Sequence, residues 1–327
     1  MAVRTVIEAI REGMDEELER DPSVFIIGED VGKRGGVFLA TDGLQKKYGE
    51  QRVIDSPLAE SLIVGVAIGA AVNGMRPIAE IQFADFIAPA YNQIVEEAAR
   101  FCYRSGGDFN LPMVIRTPWG GGVHGAMYHS QSIEATFAHI PGLKVVAPGT
   151  PADAKGLLKA AVRDPNPVLF LEHKRTYRLV RGEVPAGDGV VPIGKAEVKR
   201  AGTDLSLIAY GLMLHHCLEV AEKLAADGVS AEVLDLRTIK PIDEEAILQT
   251  ARKTGKVLVV HEDNRFGGIA AEVMAIIMER AFDALDAPVM RMCGPDSPAM
   301  PFNQILEAAF MPSVDRILAR ARELAAY

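Results

Sequence analysis

Cysteine is scarce in this sequence. Cys102, Cys217 and Cys293 are the only three, far apart and odd in number, which argues against a disulfide framework and gives none of the paired spacings zinc requires. They read as small buried hydrophobes of a protein from a reducing compartment. Positive charge is also in deficit: 35 Lys and Arg stand against 44 Asp and Glu, a net charge of -9. No basic cluster relieves that balance, so no nucleic acid is expected as a partner. No apolar run reaches the ~20 residues of a membrane span, so no membrane is expected either. A charged start followed by an apolar block is missing too. The chain runs directly into an amphipathic helix pattern at Val6, Ile7, Ile10, Met14 and Leu18, unlike a signal peptide, and the expectation is a cytoplasmic protein. Internal repeats and low-complexity tracts are absent.

What is present is ordinary for a soluble protein and allows a large core. The 327 residues are 49% hydrophobic and 24% charged, enough for two domains at ~150 residues each. Short apolar runs alternate with longer helical patterns, which predicts an α/β protein with mostly parallel sheets covered by helices. Strands are expected at 24–27, 78–82, 113–116, 144–147 and 168–171, with helices near 88–103 and 151–162. From Arg181 onward the chain becomes rich in Gly, Pro and acid, so the expected division is a domain over 1–180, a linker over 181–195 and a second domain over 196–327. In that second domain strands are expected at 205–209, 231–236, 257–260 and 289–292. Helices fall between and after them, near 214–226, 244–252, 270–282 and 314–324.

The stretch from Asp55 to Phe86 organises the first half. Ser56 suits an N-cap and Pro57 the first helical position, which would set Glu60 in the first turn, near the positive end of the macrodipole. From Leu62 to Val72 every residue is apolar or glycine. Such a helix has no solvent face, and Gly65, Gly69 and Ala70 would let another backbone approach. Glu60 is therefore expected as a carboxylate at a buried helix start.

Other motifs are weaker. Gly28, Gly32, Gly35 and Gly36 follow the first strand, but neither a Rossmann fingerprint nor a Walker loop can be written over them, so they read as loop glycines. Glu29 still lies at the carboxyl end of a strand, where α/β proteins bind ligands. The run Gly120-Gly121-Gly122-Val123-His124-Gly125 leads to His129, and its glycine density indicates sharp bends or close approach to a ligand. A mobile loop with surface histidines explains it equally well. His215 and His216 point in different directions on a helix, which disfavours a shared metal, and His261 at a strand end fits either reading. The turn after Ala161 and Val162, with Asp164 and Asn166, has oxygens suited to a hard cation, although an ordinary Asp-Pro-Asn turn accounts for it.

Taken together, Ser56-Pro57-Leu58-Ala59-Glu60, the run Arg76 to Phe86, Tyr103-Arg104-Ser105-Gly106-Gly107, Tyr128-His129-Ser130-Gln131-Ser132 and Leu234-Asp235-Leu236-Arg237-Thr238 resemble the beta subunit of the decarboxylase component of 2-oxo acid dehydrogenase complexes. The resemblance covers essentially the whole chain. It implies a transketolase-like pyrimidine-binding domain, a C-terminal assembly domain, thiamine diphosphate as cofactor and an alpha-2 beta-2 heterotetramer. Glu60 would hydrogen-bond the aminopyrimidine ring nitrogen. Phe86 would pack on the ring, with Leu58 and Gln82 nearby, and Glu29 would line an acidic passage between paired sites. His129 would assist acyl transfer to the lipoyl group of the dihydrolipoamide acyltransferase component. The carbonyls of Met113, Ala161 and Val162, with Asp164 and Asn166, match the family's potassium position.

The superfamily holds the diphosphate and its magnesium with Gly-Asp-Gly and a later Asn-Asn pair. Gly187-Asp188-Gly189 lies in the expected linker and no Asn-Asn pair follows it, so the alpha subunit should supply that half. Ile81 to Phe86 and Ser132-Ile133-Glu134 look more like branched-chain members than pyruvate members, making a branched 2-oxo acid the expected substrate. A pyruvate or acetoin dehydrogenase subunit, a split transketolase half and a catalytically silent assembly subunit remain open. Glu60 and His129 disfavour silence, and Tyr128-His129-Ser130-Gln131 disfavours transketolase.

Overall fold

The computed structural model describes residues 1–327 and divides into two compact units, Met1–Trp119 with Thr136–Ile193, and Gly120–Ala135 with Gly194–Tyr327. In the first unit the strands run in the order Lys144–Val146, Val168–His173, Val114–Trp119, Arg76–Glu80, Val24–Gly28 and Val53–Asp55, every neighbouring pair parallel. Arg76–Glu80 is buried at all but its first residue and the Val24–Gly28 strand throughout, as expected of a parallel sheet covered on both faces. Helix Val6–Arg20 starts with a capping box in which Thr5 and Glu8 satisfy each other's backbone donors. It packs on Pro151–Arg163. Ile10, Met14, Leu157 and Leu158 are wholly buried there, flanked by Lys155 and Lys159 reaching Glu16 and by Arg163 reaching Glu17.

Four local expectations change. The organising helix spans Glu60–Val72 with Ala59 as its N-cap, not Ser56, whose hydroxyl donates to the Pro57 carbonyl instead at 2.9 Å. Glu60 is nonetheless in the first turn. The helix is also not enclosed: Ile63, Val64, Ala67 and Ala71 are buried, while Leu62 and Val66 are 47% and 43% exposed. The single helix expected near 88–103 is a broken series, a 3₁₀ turn at Ala84–Ala90, a π turn at Gln93–Ala98 and a short helix at Phe101–Arg104. Pro89 lacks the N–H that would continue an α-helical ladder. Within 181–195, Arg181–Val184 forms a strand antiparallel to Ala2–Thr5.

The second unit carries its own sheet in the order Met290–Gly294, Val257–Asn264, Leu205–Ala209, Ala231–Asp235 and Glu197–Arg200, parallel except for the last, antiparallel edge strand. Helices Leu212–Ala226 and Val314–Ala325 pack together, and Val220, Leu224, Ile317 and Leu324 are wholly buried. Asp243 and Ser313 cap the helices that follow them through their side chains. No helix is long and apolar enough to cross a membrane.

Candidate active site

In the first unit, chemistry gathers where parallel strands end, the usual ligand crevice of such sheets. The Val24–Gly28 strand delivers Glu29, and a Cβ at Gly28 would lie 2.9 Å from the Glu80 carbonyl, so the close approach of these strand ends requires glycine. The Ser56 N–H donates to the Gly28 carbonyl at 2.8 Å, bringing the segment before the Glu60 helix to the same edge. Glu60 and Glu29 are both half-buried. Burial raises the Glu29 carboxyl above its usual range, with the charges of Asp30 and Glu60 adding to the effect. Gln82 donates through Nε2 to the Glu29 carbonyl at 3.4 Å. Phe86 stands edge-on to Phe83 with ring centroids 5.5 Å apart, in a 3₁₀ turn that packs against the Glu60 helix. Glu29, Glu60 and Gln82 are thus drawn to one strand edge, and the turn that carries Phe86 packs on the Glu60 helix. Leu58 is in the same segment but 72% exposed.

Beneath the strand ends lies a buried charge network that sequence reasoning missed. Arg116 donates to Glu80 Oε2 at 2.6 Å and to both oxygens of Glu172 at 2.6 and 2.8 Å, while Tyr177 donates to Glu172 Oε2 at 2.6 Å. Burial opposes the Arg116 charge, but Glu172 and Glu80 more than offset it. The network ties together three neighbouring strands, and its members were separately visible only as charges inside apolar runs.

His129 belongs to the second unit, on the glycine-rich segment Gly120–Ala135. The Gly120 N–H donates to the Gln131 carbonyl at 3.1 Å, closing the loop on itself. Glu262 Oε1 accepts from the Gly121 N–H at 2.8 Å and from Ser132 Oγ at 3.3 Å, and buried Glu307 accepts from the Gly122 and His124 N–H groups at 2.9 and 3.2 Å. At the loop's exit, Tyr210 donates to Glu134 Oε1 at 2.8 Å. Burial and then the Asp263 charge push the Glu134 carboxyl well up, and burial lifts Asp263 to about 6. His261 is a buried histidine, pushed down to about 4 by burial, stacked on Tyr210 and 3.4 Å from Cys293 Sγ. That favours a neutral core residue over a ligand. Of the cysteines, Cys217 is buried, whereas Cys102 and Cys293 are only partly so, contrary to the expectation for all three.

The expected cation oxygens converge on the turn after Pro151–Arg163, and protein groups already use them. Arg76 Nη1 donates to the Val162 carbonyl at 2.8 Å, Lys144 pairs with the Asp164 carboxylate, and the Asn166 N–H caps Asp164 Oδ1 at 2.9 Å. The Met113 and Ala161 carbonyls accept from Val168 and Asp164 N–H groups. Positive charge at this turn is thus supplied by Arg76 and Lys144. No group of three His, Cys, Asp or Glu residues could hold a metal ion. Asp188 of Gly187-Asp188-Gly189 is likewise committed, with Arg163 and Lys159 holding its carboxyl well below the usual range.

Two family profiles cover these units: "Transketolase, pyrimidine binding domain" matches residues 3–180 and "Transketolase, C-terminal domain" residues 194–317. The chain is 61% identical over 327 residues, covering 100% of both sequences, to the 2-oxoisovalerate dehydrogenase subunit beta of Bacillus subtilis (strain 168). It is 49% identical over 324 residues, 99% of each, to the pyruvate dehydrogenase E1 component subunit beta of the same organism. A solved structure described as a split gene transketolase, an inactive beta4 tetramer, matches with a TM-score of 0.80 at 25% identity, covering 98% of each chain.

Proposed function

Because the chain belongs to the transketolase-like beta subunits of 2-oxo acid dehydrogenases, we propose that Glu60, Glu29, Gln82 and Phe86 are its half of a thiamine diphosphate site. The observation that carries this reading is the carboxylate at the start of an apolar helix beside a second carboxylate, with the turn that carries Phe86 packed on that helix. That set suits an aminopyrimidine: Phe86 offers an aromatic face, and Glu60 an acid that can share a proton with a ring nitrogen. When bound, thiamine diphosphate supplies the electron sink through which a 2-oxo acid loses carbon dioxide. Glu60 would hold the proton at the ring nitrogen, Leu58 and Gln82 would orient the ring, and His129 would move a proton as the acyl group passes to a lipoyl arm.

The remaining half is assigned to an alpha subunit in an alpha-2 beta-2 heterotetramer, which would hold magnesium and the diphosphate. The cofactor-binding domain would give way, at the end of the 181–195 stretch near Gly194, to an assembly domain serving the dihydrolipoamide acyltransferase component. A potassium ion at the Asp164 turn would rely on remaining lone pairs of the Met113 and Ala161 carbonyls. Free, widely spaced cysteines support a cytoplasmic location.

The substrate reading is a branched-chain 2-oxo acid. With its alpha subunit, the enzyme is expected to favour 3-methyl-2-oxobutanoate over pyruvate by about 30-fold or more in kcat/KM, since it carries two more carbons and each methylene in an apolar pocket contributes ~1–3 kcal/mol. A preference for pyruvate or acetoin overturns it. His129→Ala is expected to lower acyl transfer to a lipoyl domain about 100-fold, within the range for a lost proton-transfer group. Decarboxylation followed with an artificial electron acceptor should fall far less, and equal losses in the two assays count against this division of labour.

A further inference from the structure

We propose that Glu307 is a positioning residue that sets the glycine-rich loop, and through it His129, in place for acyl transfer. This rests on the reading of His129 given above, but the geometry behind it is independent. Glu307 is 2% exposed, on helix Gln304–Phe310, and 178 residues away in sequence from His129. Its Oε1 accepts two loop N–H groups, from Gly122 and His124, and its Oε2 lies 2.5 Å from His124 Nδ1. Both oxygens of one buried carboxylate are thus spent on a three-residue stretch of loop. Bonds from a carboxylate to backbone N–H groups are among the stronger kinds.

The grip passes to His129 in one further step. His124 holds a left-handed backbone, φ 57°, which a non-glycine residue keeps only when its surroundings impose it. Glu307 imposes it by holding both the backbone N–H and the ring of that residue. The next residue, Gly125, is packed so closely on His129 that an added Cβ would sit 2.6 Å from the His129 Cβ and 2.7 Å from its carbonyl oxygen. Displacing His124 therefore displaces the surface against which His129 rests. Glu262 fixes the two ends of the same loop through Gly121 and Ser132, so Glu307 governs the interior and Glu262 the frame.

The test uses the assembled holoenzyme with Glu307→Ala, Glu307→Gln and His129→Ala. Glu307→Ala is expected to lower transfer to a lipoyl domain at least tenfold and decarboxylation with an artificial acceptor less than threefold. Amide hydrogen exchange at residues 121–125 should speed up at least tenfold. Glu307→Gln keeps a carbonyl acceptor for the two N–H groups and is expected to recover most of both properties. Unchanged loop exchange in Glu307→Ala overturns the proposal, as does a proportionate loss of both activities. If the alanine variant does not assemble, unchanged exchange and unchanged transfer in Glu307→Gln count as support, and a loss of decarboxylation equal to that of transfer overturns it. His129→Ala separates the two claims: without a selective transfer loss there, the role of His129 fails, while the exchange data still decide whether Glu307 sets the loop.

Discussion

Glu60→Gln is expected to abolish decarboxylation, by 10³-fold or more, while the chain folds and assembles as before. The side chain does not cap its own helix, since Ala59 holds the N-cap and the first-turn bonds run from the Leu62 and Ile63 N–H groups to the Ala59 carbonyl. Glutamine has the same shape and leaves those bonds intact. What it removes is the ability to hold a proton at a ring nitrogen, a function that typically contributes 10² to 10⁴ in rate and, for an initiating step, gates all that follows. Stopped-flow detection of carbon dioxide release and circular dichroism together check the outcome. Comparable turnover in the variant sinks the assignment. A second readout comes from Glu29, whose carboxyl is raised partly by the Glu60 charge. In the glutamine variant it should titrate lower, in the direction of an ordinary glutamate.

The second large effect is all-or-none: the chain alone is expected to bind no thiamine diphosphate, and to bind it once the alpha subunit is added. An anionic diphosphate with a divalent metal needs a preorganised acid and amide set. The sole Gly-Asp-Gly has its aspartate engaged by Arg163 and Lys159, and the Gly187 that opens it is in open surroundings at φ 94°. Releasing Asp188 would leave those two cations without one of their partners. Calorimetric titration of the purified chain with magnesium and cofactor should give no heat above dilution. Tight binding by the chain alone would refute a shared site.

The sequence made some of this legible and hid the rest for physical reasons. Alternating apolar runs marked the sheet strands because fully buried parallel strands carry continuous Val, Ile and Leu, as at Val24–Gly28 and Leu205–Ala209. The start of the Glu60 helix was misjudged because Ser56-Pro57 satisfies the local rules for a cap, while Ser56 spends its N–H on Gly28 and its hydroxyl on Pro57. The single helix expected near 88–103 passed over Pro89, which lies in the 3₁₀ turn, and the π turn at Gln93–Ala98 has no local signature. Glu60 and Glu29 could be singled out as candidates from a helix-start motif and a strand end, and Gln82 and Phe86 through the family resemblance of the run Arg76 to Phe86. Glu262, Glu307 and Glu172 could not. Each acts on a segment 56 to 185 residues distant, and although Glu172 and Glu262 lie at the ends of apolar runs, nothing local names the partner that each one reaches.

One consequence of the Glu60–Val72 helix concerns how its sequence is policed. Added methyl groups at Gly65 and Gly69 would meet nothing within 4 Å in this chain. By helix propensity alone, alanine at either position would even stabilise the isolated subunit by about 1 kcal/mol. Folding of the single chain is thus blind to these two positions, or favours their loss. A requirement for glycine at either position would have to come from a backbone arriving from outside, against the face where Leu62 and Val66 lie open. A survey of variants scored on the solubility or melting of the lone subunit would pass substitutions here that the assembled enzyme rejects.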